Sequence, residues 1–471
     1  MPNSAAPLPE WPAALEALRG LCGALAGSGA ELYLVGGAVR DWLRGQRNHD
    51  LDLLIRHPGL DAGQLEALLR ERLAPAPALQ VGESFAVYKV KWAGEWLDLA
   101  LPTVREGSSW HTDPRLPLEA DLGRRDFTVN AMALELCSAA PRLHDPFGGQ
   151  ADAAAERLRA VGDAGARLSE DPLRLLRAAR FTARGFTPEA ELTAAARALA
   201  PRLASAASER LWAEWQQLFQ SPQSARGLRW LAEVGALQVI IPAWAEVDGL
   251  EQHNPHHSET VSEHILSVVA ALDGMDATPL TKQAGFFHDI GKGRTRTLET
   301  GSDGRLRGHF YGHEDAGAEL TRQSLRALRA DGDSIRCLGQ LVALHMHPGQ
   351  AATRPAARRL VAAAGNLLEP LLTLHAADRS AHSGEDMAAV RARQDFIRGA
   401  AQELPPAFSQ QLLALGGREL LALGFTPREV GAAKRWLTEQ VLEGRVPNEH
   451  GPLLALLQAE YLPAQYLSAQ N

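Results

Sequence analysis

The rhythm of apolar and polar positions changes once along this chain. Up to about residue 150, short runs rich in branched and aromatic residues (LYLVGG, LDLLI, FAVYKVKW, EWLDLAL) alternate with helical stretches, and such runs suit strands. From about residue 151 onward, Leu, Ala and Arg recur with a period near 3.6 and strand-like runs almost vanish, which predicts helices. The expected fold class is α+β, a small mixed α/β head followed by an all-α remainder. Proline clusters near Pro222, between Pro242 and Pro255, and at Pro405-Pro406 interrupt the helical period and mark seams. The expected divisions are 1–150, 151–222, 223–400 and 401–471. The stretch from Ala351 to Ala364 is rich in Ala and Arg but still helical in pattern.

Composition adds limits. With 471 residues the chain is long for one core, and 45% hydrophobic with 22% charged residues is the balance of a globular protein. MPNSAAPLPEW has no basic segment followed by an apolar core, and no uninterrupted apolar run nears bilayer length. The expectation is a cytoplasmic protein with no membrane partner. Cys22, Cys137 and Cys337 are far apart and odd in number, so they read as buried thiols and not as a disulfide framework or zinc cluster. The net charge of −8 argues against a chain wrapped in nucleic acid, yet says little about one groove. Between Gln150 and Trp230, 12 Arg stand against 9 acidic residues. Nearly all basic residues are Arg, which suits bidentate phosphate contacts and equally fits codon bias.

The densest chemistry lies in LVGGAVRDWLRGQRNHDLDLLI, residues 34–55. A strand runs into a Gly36-Gly37 turn that opens a helix, with Arg40 and Asp41 in its first turns. A second strand carries Asp50 and Asp52, which at i and i+2 project from one face. Two such carboxylates with a triphosphate can hold a pair of Mg²⁺ ions around an in-line displacement, and the glycines let backbone N–H groups approach phosphate. In EWLDLAL, Asp98 interrupts an apolar strand, as a third carboxylate would, or as an edge-strand aspartate facing water would. In DLGRRDFTVNAMAL, Arg124, Arg125, Asp126 and Asn130 fall in and just before an expected helix start, suited to a triphosphate and a ribose hydroxyl.

The 34–55 run resembles the head motif of polymerase-beta superfamily nucleotidyltransferases, in particular bacterial tRNA CCA-adding enzymes and poly(A) polymerases. The resemblance implies a nucleotidyltransferase head with catalytic Asp50, Asp52 and Asp98 around Mg²⁺. It assigns Gly36, Gly37, Arg40, Arg124, Arg125, Asp126 and Asn130 to the incoming nucleotide. DPFGG, Asp145 to Gly149, matches the turn that closes that head. Glu170-Asp171-Pro172-Leu173-Arg174, continuing to Arg177, matches a neck motif in which an Asp and an Arg read the Watson–Crick edge of C or A, implying that role for Asp171 and Arg174. Read alone, it is an acidic helix start with an i to i+3 salt bridge. Ser208-Glu209-Arg210, then Glu214, match a later scaffolding motif.

A second constellation runs from His264 through His288-Asp289, His313 and His345 to Asp378, in order and type similar to the HD superfamily of metal-dependent phosphohydrolases. His264, His288, Asp289 and Asp378 would hold one metal, and His313 and His345 a second metal or the substrate phosphate. The mainly imidazole donors suggest Ni²⁺ or Mn²⁺. His256, His257, His309, His347 and His375 match less well. Lys292 and Arg294 suit either a substrate phosphate or a solvated loop.

Gly416 to Asn448 looks like the family's tRNA-gripping tail, with Arg418, Arg428, Lys434 and Arg435 as backbone contacts or as part of a ligand-free helix pair. The implied order is head, helical neck, HD body and tail. The implied function is template-independent extension of tRNA 3′ ends from CTP, and from ATP if the full CCA is added, with an HD phosphohydrolase activity beside it. The alternatives are a poly(A) polymerase, or an HD phosphohydrolase whose head only binds RNA. The former usually has a basic C-terminal extension, whereas this sequence reads EYLPAQYLSAQN at its end. Only 18 residues separate Arg105 from Arg124, where full CCA-adding relatives carry a longer loop. That favours CC addition with a separate A-adding partner enzyme.

Overall fold

The computed structural model describes residues 13–46, 51–73, 78–81, 87–92, 95–106, 109–138, 141–253, 259–382, 384–405, 408 and 412–461. Asp50, Pro255, His256, His257 and Pro406 lie outside them. The chain forms two compact units, 1–203 and 204–471.

In the first unit, α1 (Ala13–Leu25) precedes β1 (Glu31–Val35), α2 (Gly37–Leu43), β2 (Asp52–Arg56) and α3 (Ala62–Arg72). Strands β3 (Ala78–Val81), β4 (Val87–Trp92) and β5 (Glu95–Ala100) follow, then the hairpin β6 (Thr103–Glu106) and β7 (Ser109–Thr112), α4 (Leu118–Leu122), β8 (Ala133–Glu135) and β9 (Leu143–His144). Among the described residues these build one sheet of order β3-β4-β5-β2-β1-β8-β9, with β6-β7 apart. The centre is covered on both faces. Along β1, Leu32 and Leu34 join one buried cluster with Val39, Leu53, Leu65 and Leu99, while Tyr33 and Val35 join another with Leu54, Leu118 and Ala133. That is the two-residue period of a strand buried on both sides. Helices α5 (Gly149–Ala154), α6 (Ala164–Glu170), α7 (Arg174–Ala183) and α8 (Ala190–Leu199) complete the unit, with short strands β10 (Arg157–Leu158) and β11 (Thr187–Pro188) pairing in parallel.

Two local expectations are corrected. No long helix starts at Arg124 to Asn130. A single 3₁₀ turn, Thr128–Asn130, leads through buried Ala131 and Met132 into β8, so a helix dipole is not what the arginines use. Glu170 ends α6 and does not open the next helix; Asp171 caps α6 and α7 begins at Arg174. The cysteine reading is also corrected: Cys22 and Cys137 form a disulfide that ties α1 to the segment after β8, and Cys337 is free. A separation of 115 residues hides that proximity from the sequence.

The second unit is helical: α9 (Ser208–Phe219), α10 (Ser224–Glu233), α11 (Leu237–Ile240), α12 (Val261–Gly274), α13 (Pro279–Phe287), α14 (Lys292–Thr295), α15 (His313–Ala327), α16 (Gly332–Leu344), α17 (His347–Gln350), α18 (Arg354–Ala364), α19 (Leu368–Ser380), α20 (Met387–Ala401), α21 (Gly417–Ala422), α22 (Pro427–Glu443) and α23 (His450–Leu456). Between α14 and α15 lies the exposed hairpin β12 (Thr297–Thr300) and β13 (Leu306–His309). Trp215, Phe219, Trp244, Phe286 and Phe287 pack ring on ring, with Trp244 stacked on Phe286 at 5.3 Å. This wedge fixes the end of α13, where His288 and Asp289 follow directly. Residues Arg354–Ser380 are together long and apolar enough by composition to cross a membrane, although no uninterrupted apolar run of that length lies within them. Gly365, at φ 56°, breaks the stretch into α18 and α19, and half of its apolar window is buried inside the protein.

Candidate active sites

The first site forms where β2 and β5 run parallel. Asp52 and Asp98 are direct partners across the two strands, so both carboxylates leave the same face. Asp98 also faces Lys89 on β4, with Lys89 Nζ 3.4 Å from Asp98 Oδ1. Gly36 stands beside Asp52 at φ 72° and ψ −137°, a conformation open to glycine. A Cβ there would lie 3.1 Å from Arg125 Nη1 and 3.4 Å from Asp52 Oδ2. The glycine turn therefore keeps a bare backbone next to one guanidinium and one carboxylate. Arg125 reaches Asp121 at 3.4 Å, and its Nε is buried without a partner, leaving hydrogen-bonding capacity for an anion. Carboxylate oxygens are the donors Mg²⁺ prefers, and Asp52 with Asp98 supplies two of them.

Behind this turn, residues expected to touch nucleotide form a buried lattice. Arg40 is 4% exposed. It donates to Asp41 Oδ1 at 2.7 Å and to Asn130 Oδ1 at 2.7 Å, and it lies over the Phe181 ring. Burial lowers its pKa, an effect Asp41 opposes. Asn130 Nδ2 donates to Asp126 Oδ1 at 2.9 Å, and Asp126 Oδ2 accepts from Arg177 Nε at 2.8 Å. Burial would raise the Asp126 pKa, but Arg177, Asn130 and the Phe127 N–H outweigh it and hold the carboxyl below its ordinary value. Arg40, Asp126, Asn130 and Arg177 thus join α2, the 3₁₀ turn and α7 into one framework. Nearby, Arg124 donates to the Thr103 carbonyl, and Asp145 caps α5 through the N–H groups of Gly149 and Gln150. Arg174 donates to Glu170 at 2.8 Å and to the carbonyls of Arg167 and Arg124. Asp171 accepts from the Leu173 N–H, so the expected base-reading pair meets neighbours both on the neck and, through the Arg124 carbonyl, in the head.

The second site lies in the helical unit. His264 comes from α12, His288 and Asp289 from the end of α13, His313 from the start of α15, His345 from the end of α16 and Asp378 from α19. Their ligand atoms form two trios, His264–His288–Asp378 and Asp289–His313–His345, each within 4.8 Å. By this grouping Asp289, expected with His264, His288 and Asp378, falls with His313 and His345. Asp289 faces both trios: Oδ2 is 3.2 Å from His288 Nε2 and 3.6 Å from His264 Nε2, while Oδ1 is 3.3 Å from His313 Nε2.

Three of the histidines are locked in the same way. The Nδ1–H groups of His288, His313 and His345 donate to the carbonyls of Gly285, Phe310 and Val342 at 2.8, 2.8 and 2.7 Å. A carbonyl can only accept, so in the neutral rings each Nε2 carries a lone pair directed inward. His288 Nε2 is buried and has no hydrogen bond, while His313 Nε2 and His345 Nε2 lie 3.2 Å apart. Converging lone pairs beside carboxylates fit divalent metal ions. Burial, then the nearby His288, pushes the His345 pKa down to about 3. Burial would raise Asp289, but His288 and Lys292 hold it well below the carboxylate range.

Two residues passed over in the sequence join this centre. His382 Nε2 is 3.3 Å from Asp378 Oδ1, one helical turn on, and that i, i+4 spacing was its only signal. Gln252 holds Lys292 Nζ at 3.1 Å, and the ammonium sits 2.7 Å from Asp289 Oδ2. Lys292 is therefore buried against a carboxylate and is not in a solvated loop. Arg294 pairs with Glu246 at 2.9 Å. In the tail, Arg418, Arg428 and Arg435 are exposed on α21 and α22, with Lys434 half-buried. No ion pair engages them among the described residues, whereas Arg354, Arg358 and Arg359 on α18 are all matched by glutamates.

A glycine turn beside strand-borne carboxylates, followed by helices with a histidine–aspartate centre, defines a nucleotidyltransferase head joined to an HD-type domain, two classes that use divalent metals. Residues 32–159 match the family described as "Poly A polymerase head domain", 185–247 "Probable RNA and SrmB- binding site of polymerase A", and 257–381 "HD domain". The chain is 38% identical over 432 residues to the A-adding tRNA nucleotidyltransferase of Deinococcus radiodurans, covering 88% of this chain and 92% of that one. It is 34% identical over 334 residues to the Multifunctional CCA protein of Halorhodospira halophila, covering 68% and 75%. In fold it is similar to the Bacillus stearothermophilus CCA-adding enzyme in complex with CTP, with a TM-score of 0.71, 24% identity and coverage of 96% and 98%. The chain belongs to the tRNA nucleotidyltransferase family, as an enzyme with an HD domain.

Proposed function

We propose that this protein adds the terminal adenosine to tRNA whose 3′ end already carries CC. The reading rests on Asp52 set opposite Asp98 beside Gly36 and Arg125, and the choice of A rests on the similarity to the A-adding enzyme. Asp52 and Asp98 would hold Mg²⁺ together with Asp50, which lies outside the described residues. Bound there, Mg²⁺ lowers the cost of forming the attacking 3′-oxygen and of releasing pyrophosphate. Arg125 holds the triphosphate against the Gly36-Gly37 turn, and the lattice from Arg40 to Arg177 keeps that turn rigid. Asp171 and Arg174 read the base, and Arg418, Arg428, Lys434 and Arg435 grip the tRNA backbone. The partner enzyme is then one that supplies CC ends, in place of the A-adding partner suggested by the loop.

CC addition is the second reading, favoured by the short span between Arg105 and Arg124, which here holds β7 and α4. Labelled ATP and CTP, supplied separately to tRNA ending before CC and to tRNA ending in CC, separate the two. Labelled A only on CC-ended tRNA supports the first. C incorporation on the shorter tRNA supports the second. Extension by Asp52→Ala at wild-type speed would defeat both.

The HD centre we read as a metal-dependent phosphohydrolase acting on RNA-type phosphates, with Ni²⁺ or Mn²⁺ as the metal, because three inward Nε2 lone pairs dominate the donor set. Hydrolysis of 2′,3′-cyclic AMP with added Ni²⁺ should vanish in His288→Ala, Asp289→Ala. Unchanged hydrolysis in that variant would refute the assignment.

A further inference from the structure

Two large exposed apolar side chains flank the second trio of the HD centre. Tyr311 is 81% exposed and stands two residues before His313; Met346 is 39% exposed and directly follows His345. His313 Nε2 and His345 Nε2 are 3.2 Å apart, so both side chains stand within two residues of histidines that meet in the same trio. A single water-facing aromatic is ordinary on a protein surface, so what sets Tyr311 apart is its position two residues from a member of the trio. The Tyr311 ring is held in position: His309 lies parallel to it, 6° between planes and 5.5 Å between centroids. His309 is in turn steadied by Glu299 at 3.6 Å across the β12–β13 hairpin. The Tyr311 hydroxyl also lies 3.5 Å from His309 Nδ1, so the imidazole sits at the hydroxyl end of the ring, and the high exposure of Tyr311 leaves its face to solvent. Beneath it, Phe310 supplies the carbonyl that locks His313, and its ring lies 5.4 Å from Lys292 Nζ.

We propose that Tyr311 is a base-stacking platform for the HD centre, with Met346 bordering the base. The inference rests on the phosphohydrolase reading above. A phosphate between the two trios leaves the rest of the substrate at the rim, where a planar, pre-oriented ring favours a planar base. With a 2′,3′-cyclic phosphate, the oxygen of water bonds to phosphorus and one ring P–O bond breaks. The released ribose oxygen takes up a proton, and the water gives one up. Tyr311 takes no part in those bonds; it binds the base.

The test uses the full chain with Ni²⁺, comparing adenosine 2′-monophosphate with β-glycerophosphate, which has no base. Anisotropy of 1,N6-etheno-AMP, with and without metal, gives binding apart from turnover. Tyr311→Ala should lower kcat/KM on the nucleotide about tenfold, in line with the loss of one base–aromatic stack, and weaken etheno-AMP binding in parallel. It should leave β-glycerophosphate hydrolysis within about twofold, and Tyr311→Phe and Tyr311→Trp should retain nucleotide activity, since stacking needs the ring and not the hydroxyl. Equal losses on both substrates, or none, would overturn the platform. If the wild type hydrolyses neither phosphate, the hydrolase reading fails; the platform then stands only if etheno-AMP still binds and Tyr311→Ala weakens it, and otherwise falls too.

Discussion

Gly291 makes a sharp test of the HD centre, because a side chain there would meet the backbone that carries His313. A Cβ added to it would lie 2.1 Å from the His313 carbonyl oxygen and 2.5 Å from the Gly317 nitrogen, where ordinary contact begins at 3.4 Å. Both are backbone atoms of α15, so the Gly291→Ala clash can be relieved only by moving the helix, by more than 1 Å at its first turn if α14 stays in place. Metal–ligand distances tolerate shifts of about 0.2 Å, and His313 enters the centre from that turn, 3.3 Å from Asp289. Overpacking of this kind costs about 1–3 kcal/mol in stability. Misplacing one imidazole should weaken Ni²⁺ binding, measured by isothermal titration calorimetry, by about 10- to 100-fold, the range seen when a supporting contact of a metal ligand is lost. Nucleotide addition to tRNA by the head should persist below the melting temperature. Gly274→Ala is the control: nothing lies within 4 Å of its added Cβ, and a helical Ala should be neutral or stabilising by about 0.5–1 kcal/mol. Wild-type Ni²⁺ affinity in a folded Gly291→Ala protein would refute the claim that α15 sets the site.

Asp126→Asn removes the charge facing Arg177, whose side chain is 35% exposed, and should cost about 1–2 kcal/mol by urea unfolding after discounting for solvent. Because the folded carboxyl titrates below its ordinary 3.8, its contribution is complete above that pH and disappears as pH falls through the folded value. The gap between wild type and variant should therefore narrow on acidification, and a pH-independent gap would contradict the ion pair. Gly36→Ala forces a side chain to φ 72°, a strain of about 1–3 kcal/mol, and displaces Arg125, so kcat/KM for ATP should fall by about tenfold or more. An unaltered value would show that the turn does not approach the triphosphate. Under denaturing, non-reducing conditions, alkylation followed by mass spectrometry should label Cys337 alone; three labels per chain would exclude the Cys22–Cys137 bond.

What the sequence revealed and what it hid divide along a physical line. Period and alternation are local properties, so the strands of the head and the helical remainder could be read from spacing alone, whereas the meeting of Asp52 with Asp98 needed the pairing of two strands. Pairing is not local. Lys89 opposite Asp98, the disulfide from Cys22 to Cys137 and the hold of Glu246 on Arg294 each depend on which segments the fold brings together. Arg40 shows how burial can reverse a reading. A guanidinium one turn from a glycine pair resembles a phosphate ligand, but α2 presents it to Asp41, Asn130 and Phe181, and its donors go to the framework.

The HD histidines carry the argument furthest. Their order named a class of chemistry, but the division of labour lay in the backbone: three carbonyls, each three residues before its histidine, fix which nitrogen faces inward. Asp289 can serve both trios only because those nitrogens approach it from opposite sides, His264 and His288 at one oxygen and His313 at the other. The two groupings of ligand atoms follow from where helices end, since His288, His313 and His345 all sit at helix termini. Residues that shift those termini, Gly291 foremost, should therefore matter to hydrolysis as much as the ligands themselves.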